Sequence, residues 1–410
     1  MIIIHSMDIL PRAIDSTLQD HMGVMPAVVV TGARQTGKST LVERLFPQRR
    51  YYTLDDLDIR DMARRDPDLL VGGDAPITLD EVQRAPDLLL AVKRAIDRDR
   101  RPGRFLLTGS ANLLLMNRVS ESLAGRASYL VLRPMTLRER QGEGRGGRWG
   151  ELLAVPEADW VEFLSTPPAD PWDWRSVALR GGYPTPALEL ETGAHRAIWF
   201  DGYVQSYLER DLQDLSSIEN LTDFRRLMRG ACLRLGTMVN QSELGRDVGL
   251  PQATVHRWLG LMETSYMLHR LPAYSVNRTR RLIKTPKLYW SDTGLALHMA
   301  GESEPSGAHL ENLILNDLKV WADSDRSVTE VAYWRTTSGE EVDLVVEVGD
   351  RLLPIEVKAT TRPRLGDANH LRAFRKEYGG KSLPGLLVHA GDRLEWLAPG
   401  LLAVPWWGVL

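Results

Sequence analysis

Short apolar runs alternate with amphipathic stretches along the first third of the chain. Val28-Val29-Val30, Tyr51 to Leu54, Pro76 to Leu79, Phe105 to Leu107 and Tyr129 to Leu132 have the length and the β-branched or aromatic content of strands, with helical patterns between them. Strands separated by helices predict a parallel sheet covered by helices, an α/β arrangement. Gln141 to Gly147 contains four glycines and reads as a flexible break. A helical middle follows from about Trp149 to Ala300, and from His309 strand patterns return. There Glu341 to Val348 alternates, Gly349-Asp350 turns, and Leu353 to Lys358 comes back as the hairpin partner. The expected units are residues 1–140, a helical linker region 141–222, a third unit 223–302 and a second α/β unit 303–410.

In the third unit the pattern is more specific. Asn240 to Val248 reads as a short capped helix, Gly249-Leu250-Pro251 as a turn, and Gln252 to Met262 as a second helix. Val255, Leu259 and Met262 recur at helical spacing and would pack, which turns Thr254, His256 and Arg257 outward. Strand-like stretches at Tyr266 to Leu271 and Lys287 to Trp290 complete a winged helix-turn-helix. Arg278, Arg280, Arg281, Lys284 and Lys287 carry five positive charges with no acid among them, so together with Thr254 and Arg257 they are candidates for contact with DNA. A winged helix that serves only for packing or protein contact, with a solvated basic loop, is the alternative.

Composition adds boundaries. The 51 Lys and Arg nearly balance the 54 Asp and Glu, for a net charge of -3, so a basic patch rather than total charge would have to attract nucleic acid. Only eight of those cations are lysines, and two of them fall in the chain's sharpest motifs. The one cysteine, Cys232, sits among apolar residues and reads as a buried thiol; no disulfide or multi-cysteine metal site is available, as in a reducing cytoplasm. No apolar run reaches membrane-spanning length, and Met1 to Ile4 lacks the features of a signal peptide, so a soluble cytoplasmic protein without a membrane partner is expected, with Met7 an alternative start.

The first sharp motif is Gly32-Ala33-Arg34-Gln35-Thr36-Gly37-Lys38-Ser39, followed by Thr40, between an apolar strand and a helix. This is the phosphate-binding P-loop: glycines let backbone N–H groups curl around phosphates, Lys38 reaches the β/γ oxygens, and Ser39 offers a hydroxyl to Mg2+. The ligand expected is ATP, with ADP as product. Asp80 and Glu81, at the end of a later strand, are the expected Mg2+-side carboxylate and the base for the attacking water. Thr108 or Ser110, ending the next strand, would sense the γ-phosphate; the sequence does not separate them. Arg126 would stabilise transition-state charge, acting from a neighbouring subunit if the protein is a homo-oligomer.

The second motif lies in the hairpin. Glu356 and Lys358 share one strand face and Asp343 can face them, an arrangement suited to two carboxylates holding Mg2+ or Mn2+ while a lysine positions water. A salt-bridged hairpin is the plain alternative. The tryptophans, including Trp172, Trp174, Trp334, Trp406 and Trp407, are expected in the core or at interfaces.

These residues resemble known families. The order P-loop, Asp80-Glu81, polar sensor, Arg126 is that of the AAA-type ATPases. Leu54-Asp55-Asp56, Leu79 to Gln83, Leu107 to Ser110 and Ser122 to Arg126 resemble a prokaryotic group of AAA-like ATPases whose C-terminal domain of unknown function is related to restriction-endonuclease folds. The likeness continues through Gly181-Gly182-Tyr183-Pro184, Tyr207 to Asp211 and Ser291 to Leu295. Asp343 with Glu356-Val357-Lys358 is similar to the PD-(D/E)XK nuclease motif, and Glu311 stands where that fold often adds an acid. The resemblance implies an AAA-type P-loop NTPase domain, a helical and winged-helix middle, and a C-terminal α/β PD-(D/E)XK nuclease-like domain. It implies ATP hydrolysis coupled to DNA binding, with DNA cleavage or an ATP-dependent switch without cleavage as the two readings; a kinase lacks an acceptor-site signature.

Overall fold

The computed structural model describes residues 10–110, 123–167, 172–206, 220–277, 284–325 and 327–410. Arg278, Arg280, Arg281, Ser122 and the segment from Tyr207 to Asp211 lie outside the described residues.

The N-terminal unit holds a five-stranded parallel sheet of β1 (Ala27–Thr31), β2 (Arg50–Thr53), β3 (Ile77–Asp80), β4 (Phe105–Thr108) and β5 (Ala127–Val131), in the order β2-β3-β4-β1-β5. The strands of the interior are buried on both faces, which is why they read as continuous apolar runs rather than as alternation. One face packs against Leu54, Val92 and Ile96, and the other against Leu18, Leu41 and Val42. Helix α1 (Asp15–Val24) precedes β1, and α2 (Lys38–Leu45) leaves the loop after it. Because all five strands run the same way, the ends of β1, β3 and β4 meet at one edge.

In the middle, α3 (Leu221–Cys232), α4 (Gln241–Val248) and α5 (Gln252–Thr264) pack together. Asn240 caps α4 by accepting from Ser242 N at 3.1 Å and Glu243 N at 3.2 Å. Gly249 closes it in the left-handed conformation. Strands β6 (Leu268–Leu271) and β7 (Lys287–Trp290) pair antiparallel behind them.

The C-terminal unit sets α6 (Gly307–Ser324) and α7 (Asn369–Tyr378) against a six-stranded mixed sheet. Its strands are β8 (Val328–Arg335), β9 (Glu341–Val348), β10 (Arg351–Lys358), β11 (Gly385–His389), β12 (Glu395–Ala398) and β13 (Leu401–Pro405), in the order β12-β13-β11-β10-β9-β8. The hairpin of β9 and β10 pairs Val348 with Arg351 and Leu344 with Ile355 around Gly349, whose φ is +61°. No helix among the described residues is long and apolar enough to cross a membrane.

One apolar core runs through Trp149, Trp174, Phe224, Trp258, Trp290, Leu310 and Leu402, joining the helical middle to one face of the C-terminal sheet. Trp174, Trp334 and Trp406 are buried, and Trp172 and Trp407 pack against that core. The glycine-rich segment departs from its reading as a flexible break. Gly147 N donates to Asp317 Oδ1 at 2.7 Å, Trp149 Nε1 donates to the same oxygen at 2.6 Å, and Arg148 N donates to Val409 O at 2.8 Å. A Cβ at 147 would collide with Val409 O and the Asp317 carboxylate, so that glycine serves a close approach rather than mobility.

Candidate functional site

The loop between β1 and α2 has the backbone its glycines permit. Gly32 and Gly37 have φ of +143° and +92°, and a Cβ at 32 would run into Leu132 O. Lys38 is buried, its Nζ donating to Ala33 O at 2.8 Å and Gly32 O at 3.2 Å inside the loop. Thr36 Oγ1 ties the loop to Ala33 O at 3.0 Å, while Gln35 and Thr40 are exposed and Arg34 half-buried. From outside, Arg12 braces the loop: its guanidinium donates to Thr36 O at 2.9 Å, to Arg133 O at 2.7 Å, and to Glu139 Oε1 at 3.0 Å in a buried ion pair. Nothing around Pro11-Arg12 in the sequence marks that role.

Asp80 ends β3 beside this loop. Ser39 Oγ donates to Asp80 Oδ2 at 2.9 Å, Tyr51 OH to the same oxygen at 2.7 Å, and Thr108 Oγ1 to Oδ1. Thr108 also accepts from Glu81 N at 3.3 Å, whereas Ser110 Oγ is buried with no partner among the described residues. The structure therefore separates two residues that sequence left joined: Thr108 is the one in contact with the acidic pair. Tyr51 went unnoticed in the sequence because an aromatic in a strand reads as core. Burial, then Asp80, pushes its phenol well above the ordinary range.

Glu81 sits in the left-handed region at φ +56°, a conformation that costs a non-glycine residue about 1–3 kcal/mol and recurs at functional sites. Burial pushes its carboxyl upward and Asp80 adds to this, against the pull of Lys38, Gln83 and Arg34. Gln83 Nε2 donates to Glu81 Oε2. The fit to Mg2+ rests on Ser39 Oγ and Asp80 Oδ2, whose 2.9 Å separation matches two adjacent ligands of an octahedral ion with bonds of about 2.1 Å. Beside the loop a cavity of about 450 Å³ is lined by Leu10, Gly37, Leu41, Met135, Pro184 and Leu188, with Thr40 and Arg44 at its polar side. Pro184 belongs to the Gly181-Gly182-Tyr183-Pro184 turn.

Arg126 is not brought to this edge. It precedes β5, at the opposite end of the sheet, and grips Asp97 with two hydrogen bonds of 2.7 and 3.0 Å.

The C-terminal candidates do converge. Lys358 Nζ lies 2.6 Å from Glu356 Oε1 and 3.9 Å from Asp343 Oδ2, and Val357 N donates to that Asp343 oxygen at 3.0 Å. Glu311, on α6, faces the same cluster. Burial first, then the Asp343 charge, pushes both Glu311 and Glu356 upward. His309, beside Glu311, accepts from Ser306 N at 3.1 Å as part of a helix cap.

Lys287 corrects the basic-loop reading. Its side chain is 3% exposed and is paired with Glu311, Glu341 and Asp343, so it cannot contact a duplex where it lies. Burial alone lowers its pKa, but those three carboxylates outweigh it and the net shift is upward, which keeps the ammonium charged. Arg257 and Lys284 are exposed and Thr254 is half-buried.

Three family models match successive parts of the chain. Residues 25–141 match the AAA domain family, residues 171–306 a domain of unknown function (DUF8612), and residues 306–408 another domain of unknown function (DUF4143). Uncharacterized protein Rv2008c of Mycobacterium tuberculosis and Uncharacterized protein Mb2031c of Mycobacterium bovis are each 30% identical over 393 residues, which cover 93% of this chain and 80% of theirs. The chain belongs to their family. Its N-terminal unit is an AAA-type P-loop ATPase domain. Among solved structures, the Walker-type ATPase PABY2304 of Pyrococcus abyssi is similar at TM-score 0.41 and 13% identity, covering 71% of this chain and 99% of that one. A Signal Transduction ATPase with Numerous Domains, PH0952 of Pyrococcus horikoshii, is similar at TM-score 0.24 and 13% identity, covering 77% and 46%.

Proposed function

We propose that this family member binds and hydrolyses ATP and uses its nucleotide state to set the posture of a winged-helix and α/β tail that contacts DNA. The observation that carries the ATPase reading is the meeting of Lys38, Ser39, Asp80, Glu81 and Thr108 at one edge of the sheet. The P-loop amides and Lys38 hold the phosphates, and the cavity lined by Leu41 and Pro184 takes the base. Ser39 and Asp80 hold Mg2+, which supplies neutralising charge to the phosphates when bound. Glu81, with its carboxyl pushed upward, accepts the proton of the attacking water. Thr108 fixes the Asp80 carboxylate and, through the Glu81 amide, the turn that aims the base. Arg126 enters only if a second copy draws it from Asp97.

Phosphate release measured alongside nucleotide binding tests this. Lys38→Ala should lose both, and Glu81→Gln should retain binding while turnover falls about 10²-fold or more. Turnover unchanged in Glu81→Gln would remove Glu81 as the base.

A second reading, ATP-regulated DNA cleavage, draws on the convergence of Asp343, Glu356 and Lys358. Supercoiled DNA incubated with Mg2+ or Mn2+, with and without ATP, separates the two: nicking lost in Lys358→Ala supports cleavage, and phosphate release without nicking supports the switch.

A further inference from the structure

The carboxylates of the C-terminal cluster already have a cation among them. Lys287 Nζ lies 2.6 Å from Glu341 Oε1, 3.3 Å from Glu311 Oε1 and 3.4 Å from Asp343 Oδ1. It comes from outside the unit that carries those acids. The backbone of β7 is fixed by pairing of Lys287 with Leu271 in β6 and by a bridge to Met238, both in the winged-helix unit. Tyr289, two residues along the same strand, donates to Glu311 Oε1, and the Tyr333 ring centre lies 5.6 Å from the ammonium. One short strand thus delivers an ammonium and a phenol to carboxylates of a different unit.

A divalent ion does not fit beside this lysine. Glu311 and Asp343 each commit an oxygen to the ammonium. Among the described residues, no three His, Cys, Asp or Glu side chains converge closely enough to hold a metal ion. A second cation between the same oxygens would meet the ammonium at close range, where like charges repel strongly in a water-poor site. One oxygen nevertheless remains uncommitted: Glu356 Oε2 is buried and takes no hydrogen bond. Glu311, Asp343 and that oxygen of Glu356 are hard donors of the kind Mg2+ or Mn2+ takes, but as they stand they are too far apart to share one ion, so metal entry requires them to draw together once Lys287 has left.

We propose that Lys287 is the resident cation of this centre, standing in for a divalent metal ion, so that the centre accepts Mn2+ or Mg2+ only when β7 withdraws the ammonium. The winged-helix unit would then act as the gatekeeper of the C-terminal site. This goes beyond the ATPase reading, because it concerns other residues and is read by metal binding rather than by turnover; either can fail without the other.

The test titrates the nucleotide-free full chain with Mn2+ and follows loss of the free-ion electron paramagnetic resonance signal. Wild type should show no Asp343-dependent site below about 1 mM. Lys287→Met should gain one site at least about tenfold tighter than that. The site should vanish in Lys287→Met with Asp343→Asn, and Lys287→Arg, which keeps the charge, should behave as wild type. A wild-type site that Asp343→Asn removes, as tight as that of Lys287→Met, overturns the proposal. So does a folded Lys287→Met that gains no site. Circular-dichroism melts establish folding, and if Lys287→Met does not fold, Lys287→Gln takes its place while the wild-type and Asp343→Asn pair still decides against a metal-free resting centre.

Discussion

Asp80 accepts hydrogen bonds from three hydroxyls, those of Ser39, Tyr51 and Thr108, and each constrains the carboxylate differently. Ser39 need only rotate its hydroxyl proton off Asp80 to offer the oxygen to a metal ion, whereas Tyr51 and Thr108 can keep their bonds and hold the orientation. Thr108→Val should therefore lower kcat by about tenfold or more with little change in nucleotide affinity, and Ser110→Ala should leave kcat near wild type. Equal losses in the two variants, measured by phosphate release, would sink the distinction. Lys38, Asp80 and Glu81 were legible because their chemistry is tied to short spacings along the chain. Tyr51 and Arg12 were not, since each acts through one long-range contact that no local pattern records. Arg12 also pairs with buried Glu139, so Arg12→Ala should cost about 3 kcal/mol by removing the charge partner of a carboxylate that keeps only its bonds from Ala13 N and Thr136 N; a denaturant melt measures it. Asp317 offers a pH test. Burial pushes its carboxyl up to about 7, above the unfolded value of 3.8. The folded chain thus binds more protons than the unfolded chain between those pH values, and the Asp317 contribution to stability falls as pH rises through that window. Asp317→Asn should flatten that slope in thermal melts at pH 5 and 8; an unchanged slope would acquit Asp317.

At the scale of elements, the strands of the first sheet were plain because continuous apolar runs of four or five residues have few other uses. The capped helix after Asn240 and the hairpin at Gly349 were equally plain, each fixed by local turn chemistry. Two segments were misread for the same reason, that composition says nothing about the direction a residue faces. The cations from Arg278 to Lys287 look like one basic loop, but β7 begins at Lys287 and turns it inward. The glycines near 147 look like a hinge, yet Gly147 lies where two other segments press close. What remains of the basic patch is still testable. Arg257→Ala and Lys284→Ala should each weaken DNA binding and reduce its salt slope by about one, across unrelated sequences. Fluorescence anisotropy at several salt concentrations would expose an unchanged slope, and with it a packing role for the winged helix.

Across the whole molecule, the sequence implied an ordered series of units but not how they touch. Besides the apolar core shared by the middle and the C-terminal sheet, single residues far apart in the chain join them. Asp292, at the start of the helix Thr293–Ala300, accepts from Gly182 N at 2.5 Å, Tyr183 N at 3.2 Å and Leu295 N at 2.7 Å. Gly181 has φ +69°, and a Cβ there would collide with the Asp292 carboxylate, so Gly181 admits this side chain, while a Cβ at Gly182 would collide with Met135 O. Pro184, one residue on, lines the cavity beside the P-loop. A non-hydrolysable ATP analogue should therefore raise the melting temperature of the chain as one transition, and Asp292→Ala should split calorimetric unfolding into two, only one of them moved by nucleotide. A single transition in that variant would show that other contacts suffice.

The same carboxylate makes the chain a balance. One arm is the turn that lines the cavity beside the P-loop, the other is the strand that carries Lys287, and both meet the segment Ser291 to Leu295, the turn through Asp292 and the strand through the chain. If nucleotide sets the posture of the tail as proposed, a load that tips this fulcrum would change the grip on nucleotide by the same free energy with which nucleotide resists the load. The protein would then report tension on its tail as a change in how long it keeps ATP.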